Sequence, residues 1–319
     1  MGTTIWVTKD FAHMSDVASG IVIKKSIELL KRKKEIALGL ATGNSPTGLY
    51  KHLAKAVNEG RLDAGRIRSF NLDEYVGLPG NNIQQRVMHP ESYAYFMIQE
   101  LFGHLNKKFI ETRVPYGSLI DQKMLIRELK DNKSDWEFKG TDAGKSIAIK
   151  AKAQSPYLAW IRKDILDGYV RKIKAAGGID LQIIGVGGRG HVAFHESGIP
   201  FQGSSMLLVK LDDNTIANAV ADGHFKTKAD SPQYAISMGA ELVYKAKTVV
   251  LVANGARKTE SVTRSILGNM TPEIPISYGQ AYSQKGGELI YVLDRIAAQG
   301  LLENTSALKI RGVILKNLA

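Results

Sequence analysis

The chain has 319 residues, enough for one large α/β domain or two smaller ones, and its 44% hydrophobic and 23% charged residues are ordinary for a soluble globular protein. It contains no cysteine, which excludes disulfides, thiolate metal sites and a cysteine nucleophile. The apolar runs are too short to cross a bilayer and no signal-peptide pattern opens the chain, so we expect a cytoplasmic protein without a membrane partner. The net charge of +12 comes from scattered lysines and arginines, which favours solvated helix faces over a nucleic-acid partner.

Apolar segments of strand length alternate with longer amphipathic segments along the chain. In the first 105 residues the predicted strands are IWVT, EIALGLAT and RIRSFNLD, and the predicted helices are VASGIVIKKSIELLKRKK, SPTGLYKHLAKAVN and HPESYAYFMIQELFGHL. Further on, a long helix (SPYLAWIRKDILDGYVRKIKAAG) leads into the strand IDLQII. After an irregular stretch come a helix (AISMGAELVYKA), a strand (KTVVLVAN) and a helix (GARKTESVTRSILG). This alternation predicts a three-layer, doubly wound α/β fold of the Rossmann-like type with a mostly parallel sheet, whose ligands bind at the carboxyl ends of the strands.

One segment interrupts the alternation. Residues 118–156 are polar and lysine-rich, without a clear strand pattern. Loops of this length are usually functional or disordered. We therefore predict a single α/β domain over 1–319 that carries an insertion or lid at about 118–156, in preference to a separate small domain.

The loop after the second predicted strand is a candidate anion site. Gly43 permits a tight turn, and Asn44 and Ser45 precede a helix whose first backbone N–H groups are free to bind an anion. An ordinary N-cap at Ser45 explains the same residues equally well. The third strand ends at Asp73 and Glu74, where two adjacent carboxylates normally indicate a solvated turn. Apolar flanks on both sides would instead bury one carboxylate and raise its pKa.

The stretch GVGGRGHVAFHESG, Gly185 to Gly198, leaves a buried strand through glycines and then presents histidines and a carboxylate. Three interpretations compete: a bend that merely needs glycine, a phosphate cradle, and an acid–base centre. His191 would stand just beyond the strand end, where an imidazole can exchange protons near pH 7, and Glu196 could orient it or protonate a substrate oxygen. The glycine spacing and the later Pro200 argue against a dinucleotide-binding fingerprint.

Lys258 falls in the first turn of the helix after the strand KTVVLVAN. A cation there opposes the helix dipole unless an anion shares the site. This placement indicates a phosphate contact, with a surface lysine as the alternative.

Taken in order, TGNSPTGLY, NLDEYVGL, HPESYAYFM, GVGGRGHVAFHESG and GARK resemble the glucosamine-6-phosphate deaminase (isomerase) family from about Ile36 to about Val292. The resemblance implies conversion of glucosamine 6-phosphate and water into fructose 6-phosphate and ammonia, with a small-molecule sugar phosphate as partner and no metal or other cofactor. Members of this family often assemble, so it also allows for a homo-oligomer. The 6-phosphogluconolactonases share the fold and the glycine–histidine turn, but match NLDEYVGL and HPESY less well.

The resemblance also assigns roles to residues. His191, supported by Glu196, would open the sugar ring, and Asp73 would move a proton between C2 and C1. The substrate and its phosphate would be held by a group of residues that comprises Thr42, Gly43, Asn44, Ser45, Gly187, Arg189 and Lys258.

Three positions depart from the family pattern. Arg189 stands two residues before His191, where the family usually has an aspartate, and an arginine cannot accept the imidazole N–H. Either Glu196 alone positions His191, or Arg189 binds an anionic group on a different substrate. Val220 replaces a phosphate-binding arginine, and His195 replaces an asparagine. We therefore expect a divergent member of the family, with a non-catalytic sugar-phosphate sensor and a lactone hydrolase as alternatives.

Overall fold

The chain builds two β-sheets, which the computed structural model describes over residues 2–319. The strands are, in chain order, β1 (Thr3–Thr8), β2 (Ile36–Leu40), β3 (Ile67–Asn71), β4 (Asp73–Val76), β5 (Glu111–Arg113), β6 (Trp136–Thr141), β7 (Gly144–Ile149), β8 (Leu181–Ile184), β9 (Met206–Lys210), β10 (Tyr234–Met238), β11 (Thr248–Ala253), β12 (Glu288–Asp294) and β13 (Ile314–Asn317). Eight of them form the larger sheet in the order β13-β1-β12-β11-β8-β2-β3-β5, and every neighbouring pair in it is parallel. This confirms the predicted parallel α/β architecture.

The helices of the chain include those that cover both faces of the larger sheet. They are α1 (Phe11–Leu30), α2 (Thr47–Asn58), α3 (Ile83–Val87), α4 (Tyr93–Glu100), α5 (Gln122–Asp131), α6 (Pro156–Trp160), α7 (Asp167–Ala175), α8 (Asp213–Ala221), α9 (Ala240–Val243), α10 (Thr259–Leu267), α11 (Gly279–Gln284), α12 (Gln299–Leu302) and α13 (Thr305–Ile310). A single π-helical segment, Ile161–Leu166, joins α6 to α7, so the long predicted helix is present with a wider turn at its centre. Within residues 2–319, none of the helices has both the length and the apolar character that a membrane span requires.

The central strand β11 shows how the two faces are built. Val250 and Val252 belong to a buried apolar cluster with α1 and α2, whereas Val249 and Leu251 belong to the cluster with α7 and α10. Because side chains alternate along a strand, an unbroken apolar run is what a strand covered on both faces requires. The run TVVLVA is therefore buried throughout.

The second sheet is antiparallel, in the order β4-β10-β9-β7-β6, and the sequence did not predict it. The segment 118–156 contributes α5 and the hairpin of β6 and β7, and β7 pairs with β9. The segment, which shows no clear strand pattern in the sequence, therefore contains two strands. β6 is an edge strand whose side chains are mostly exposed, so it carries no apolar alternation that would reveal it. A lid motion of this segment stays a prediction.

A second correction concerns the stretch AISMGAELVYKA, which we predicted to be helical. Its first residues belong to β10, and the helix α9 covers only Ala240–Val243. β10 lies between β4 and β9 and is buried along its whole length. Strand pairing on both sides thus outweighs the helix preference of alanine and methionine. The stretch before α8, expected to be irregular, likewise contains the buried strand β9.

The chain passes from one sheet to the other at Leu72. The Leu72 N–H donates to the Leu40 carbonyl in the larger sheet (3.2 Å), and the Leu72 carbonyl accepts from the Met238 N–H in the second sheet (2.7 Å). β3 thus ends at Asn71 in the parallel sheet and β4 begins at Asp73 in the antiparallel one. This places Asp73 at the junction of the two sheets.

Two glycines offer a matched pair of substitutions that tests the close packing of β2 against β8. At Gly39 in β2, an added Cβ would overlap the side chain of Gln182, which is buried in the adjacent strand β8. We expect Gly39→Ala to lower the free energy of unfolding by about 1–3 kcal/mol, the usual cost of overpacking. Gly20 in α1 has open space around it, so Gly20→Ala should raise this free energy by roughly 0.5–1 kcal/mol. Urea unfolding measures both, and a Gly39→Ala variant as stable as the parent chain would contradict the packing described.

Candidate active site

A cavity of about 550 Å³ lies at the carboxyl ends of β2, β3, β8 and β11. This is the edge of a parallel sheet at which ligands bind. Eight of the ten predicted site residues line the cavity, namely Thr42, Gly43, Asn44, Ser45, Asp73, Gly187, His191 and Lys258. The other two, Arg189 and Glu196, do not line it.

The turn before α2 forms one wall of the cavity. Gly43 has a φ of 92°, a conformation that glycine adopts without strain. The Ser45 hydroxyl donates to Oδ1 of Asn254 (2.8 Å) and makes no capping bond to α2, whose N-cap position is Pro46. The N-cap interpretation of Ser45 is thus wrong. The hydroxyl instead ties this turn to the loop after β11.

The loop after β11 presents Lys258 to the cavity. The Gly255 N–H donates to both carboxylate oxygens of Asp294 (3.1 and 3.0 Å), and Asp294 also accepts from the Ala297 N–H (2.8 Å). This carboxylate holds the loop in place. Among residues 2–319, no carboxylate forms an ion pair with the Lys258 ammonium. Burial, followed by the charge of Arg257, lowers the pKa of Lys258, so an anion placed here would stabilise its charged form.

Asp73 lies on the floor of the cavity with its side chain almost completely buried. Burial, and next the charge of Glu74, raises the pKa of Asp73 well above its usual value, and the Thr42 hydroxyl opposes this only in part. The Oδ1 atom of Asp73 has no hydrogen-bond partner within residues 2–319. A buried carboxylate with an open acceptor is a strong base at the cavity wall.

The neighbouring Glu74 has a different place in the structure. Its carboxylate accepts hydrogen bonds from the backbone N–H groups of Tyr75, Tyr93 and Ala94 and from the hydroxyl of Ser92, at 2.8–3.1 Å. Three of these donors lie at the start of α4, where backbone N–H groups lack partners within the helix. Glu74 therefore anchors α4 beside the cavity, and neither carboxylate forms a solvated turn.

His191 follows a tight turn of glycines after β8. The Gly190 N–H donates to the Gly187 carbonyl (2.9 Å), and the Gly187 N–H donates to the His191 carbonyl (3.1 Å). A Cβ at Gly187 would overlap the His191 imidazole, so the ring needs a glycine beneath it. Burial, together with the charges of Lys258 and Arg189, lowers the pKa of His191 to about 4. The imidazole is thus neutral near pH 7 and able to accept a proton.

Glu196 lies behind His191. Its Oε2 atom is 3.9 Å from His191 Nδ1 and accepts from the Thr215 hydroxyl (3.0 Å). Burial raises the pKa of Glu196 to about 7. A Cβ at Gly144 in β7 would overlap the Glu196 side chain, so the hairpin of the 118–156 segment packs directly against this residue. The segment thereby supports the back of the site.

Neither Arg189 nor Val220 lines the cavity. The Arg189 guanidinium is half-exposed and pairs with Asp212 (2.8 Å), which precedes α8. Val220 on α8 packs against an apolar cluster that includes Tyr75 and Phe194. The geometry therefore gives no support to Arg189 as a ligand of the substrate.

The second histidine of the stretch is part of the framework. His195 is fully buried, its Nδ1 accepts from the Ala240 N–H (3.0 Å), and its Nε2 lies 3.0 Å from the Ile199 carbonyl. These bonds fix a neutral ring with the proton on Nε2.

Ala193, two residues before His195, has a φ of 52° and lines the cavity. Such a strained backbone persists where the surrounding structure holds it, and it is often found at functional sites.

Sequence reasoning missed five polar or charged residues that line the cavity or its rim: Tyr93, Asp222, His224, Asn254 and Arg257. Two pairs bridge the mouth of the cavity: Arg257 with Asp222 (3.2 Å), and His224 with Glu91 (2.7 Å). Asp222 and His224 lie in the stretch VADGHF, Asn254 and Arg257 in NGARK, and Tyr93 in HPESYAYFM, and only the fold brings these three stretches to one cavity.

Comparison with known proteins agrees with this fold. No family model matches the chain. The glucosamine-6-phosphate deaminase of Clostridium perfringens is 35% identical over 294 residues, which cover 92% of this chain and 97% of that protein. The Clostridium botulinum protein of the same name is 32% identical over 297 residues, covering 93% and 98%.

Solved structures share the fold. A monomeric glucosamine-6-phosphate deaminase matches with a TM-score of 0.69 at 23% identity, covering 94% of this chain and 100% of that one. The 6-phosphogluconolactonase of Thermotoga maritima matches with a TM-score of 0.59 at 15% identity, covering 92% and 99%. The fold is thus that of the sugar-phosphate isomerases and deaminases, and the chain is an enzyme of this type. It belongs to the glucosamine-6-phosphate deaminase family.

The raised pKa of Glu196 has a consequence for stability. Because a glutamate in the unfolded chain has a pKa of 4.5 and the folded one about 7, the folded state keeps this proton longer, and stability falls as the pH rises from about 4.5 to about 7. A neutral glutamine escapes this loss. We expect the gain in unfolding free energy from Glu196→Gln to be larger at pH 8 than at pH 5, by up to about 3 kcal/mol. Urea unfolding of both proteins at the two pH values measures this gain. An equal gain at pH 5 and pH 8 would show that the fold does not raise the pKa of Glu196.

Proposed function

We propose that this chain catalyses the conversion of glucosamine 6-phosphate and water into fructose 6-phosphate and ammonia. One observation carries the proposal: a buried carboxylate, Asp73, and a neutral imidazole, His191, face the same small cavity, and the ammonium of Lys258 stands at its rim. Membership of the family supports the same reaction, since the relatives bear this name.

The phosphate group binds at the rim. Lys258 lacks a carboxylate partner within the described chain, and the Gly43–Ser45 turn and the loop after β11 are joined by the Ser45–Asn254 hydrogen bond. Charge-assisted hydrogen bonds from an ammonium to a phosphate are among the stronger polar contacts in proteins. Binding the phosphate here directs the sugar ring toward Asp73 and His191.

Ring opening is the first chemical step. The neutral His191 imidazole accepts the proton of the anomeric hydroxyl and returns it to the ring oxygen as the bond between C1 and that oxygen breaks. The low pKa of His191 favours rapid return of the proton. The product is the open-chain aldehyde. Glu196, 3.9 Å from the ring, is a positioning residue for the imidazole.

Asp73 then moves a proton between two carbons of the open chain. In its ionised form it takes the C2 proton, while the proton shed by the substrate's ammonium group reaches the C1 oxygen, which yields an enolamine. The protonated Asp73 delivers its proton to C1, leaving an iminium at C2. Water adds to C2, the C–N bond breaks, and ammonia departs with the remaining proton. Burial makes Asp73 a stronger base for the first of these transfers.

The roles of Asp73 and His191 are tested by conservative substitutions. We expect Asp73→Asn to reduce kcat for ammonia release by about 10²–10⁴-fold, the usual contribution of a positioned acid–base group, because an amide cannot take the C2 proton. His191→Gln should reduce it by a similar factor for want of the ring-opening base. Thermal stabilisation by fructose 6-phosphate should survive in both variants, because neither residue binds the phosphate. The exposed Asp142 offers a control, and Asp142→Asn should retain full activity.

Other outcomes would redirect the proposal. Turnover of a phosphorylated lactone without ammonia release from any phosphorylated amino sugar would identify a lactone hydrolase, the activity named for several proteins of this fold. Stabilisation by sugar phosphates without any product would identify a sensor. Full activity of Asp73→Asn would remove Asp73 from the reaction.

A further inference from the structure

The rim of the cavity holds more positive charge than its carboxylate partner can balance. Arg257 and Lys258 are adjacent in the 3₁₀ turn before α10, and both line the cavity. The carboxylate of Asp222, which follows α8, also lines the cavity and pairs with Arg257 Nη1 (3.2 Å), whereas Lys258 has no such partner within residues 2–319. Two cations therefore face one anion, and the charge of Arg257 disfavours that of Lys258.

The ion pair between Arg257 and Asp222 is weak enough for a phosphate to replace Asp222 as the partner of Arg257. The Arg257 side chain is 71% exposed and that of Asp222 is 41% exposed, so water weakens their attraction. A phosphate monoester carries a charge of about −1.5 to −2 near pH 7 and offers several acceptor oxygens, which makes it a stronger partner for an arginine than a solvated carboxylate is. The two anions would compete for the same guanidinium.

The neighbouring helix supplies no alternative cation. α8 contains no lysine or arginine, and its Val220 packs in the apolar cluster with Phe194. Of the described residues that line the cavity, Arg257 is the one arginine or lysine besides Lys258, and it lies in the same loop.

We infer that Arg257 is a second phosphate ligand, and that Asp222 occupies the guanidinium until the phosphate of the substrate displaces it. This inference rests on the proposed function in that it takes the substrate to be a sugar phosphate. In the empty site Asp222 keeps Arg257 at the rim. In the loaded site both cations contact the phosphate and Asp222 is released.

The exchange predicts opposite effects for the two partners. Arg257→Gln should raise KM for glucosamine 6-phosphate about 10- to 100-fold with little change in kcat, because the lost contact binds substrate and transition state alike. Asp222→Asn should lower KM about two- to fivefold, because the competing anion is gone. In the double variant, KM should equal that of Arg257→Gln, since Asp222 acts only through Arg257. Arg264→Gln, which breaks the exposed pair with Glu260 on α10, serves as the matched control and should change nothing.

If the Arg257–Asp222 pair only stabilised the structure at the mouth of the cavity, the result would differ. Loss of either partner would then shift KM in the same direction. Shifts of the same sign, or an unchanged KM in either single variant, would overturn the exchange. Thermal stabilisation by inorganic phosphate provides a readout that needs no turnover, and it should be strongest in Asp222→Asn and weakest in Arg257→Gln. If the wild-type chain releases no ammonia but this order holds, the proposed function fails and the phosphate site stands. If phosphate stabilises none of the proteins, the phosphate site itself is refuted.

Discussion

The passage of the chain through Leu72 from the parallel sheet to the antiparallel one sets the position of everything around the cavity. The two backbone hydrogen bonds of Leu72 join the sheets, and Asp73 is the first residue after the crossing. A carboxylate at such a junction is surrounded by both sheets and loses its water. The same geometry therefore buries Asp73 and directs it into the cavity at the carboxyl ends of the parallel strands.

Burying a carboxylate is unfavourable unless hydrogen bonds or ion pairs satisfy its charge. The site contains one buried carboxylate that is fully hydrogen-bonded and two that are not. Glu74 has four hydrogen-bond donors and anchors α4, whereas Asp73 Oδ1 and Glu196 Oε1 have no partner within residues 2–319. These unsatisfied oxygens are costly for the fold. Burial raises the pKa of Asp73 and Glu196 and makes both side chains stronger bases than exposed carboxylates, so stability is exchanged for reactivity at this place.

Positive charge at the opposite end of the cavity complements these acids. Lys258 and Arg257 stand at the rim, and Lys258 contributes to the low pKa of His191. Burial is the main reason that the imidazole stays neutral, and the charge of Lys258 adds to it while offering a place for a phosphate. Arg189, the largest departure from the family pattern, is turned toward Asp212 and leaves this arrangement intact.

The sequence by itself determined the parallel α/β fold, the cavity-lining turns and the placement of Asp73 and His191 at the same sheet edge, because strand ends of a parallel sheet converge whatever the details of packing. Only the tertiary structure decided the second sheet, since its strands β6 and β10 lack a local signal and are defined by their pairing partners. It likewise decided which of two adjacent carboxylates anchors a helix, where Arg189 points, and that Asp222 meets Arg257. These are contacts between segments distant in sequence, and their geometry depends on how the layers pack.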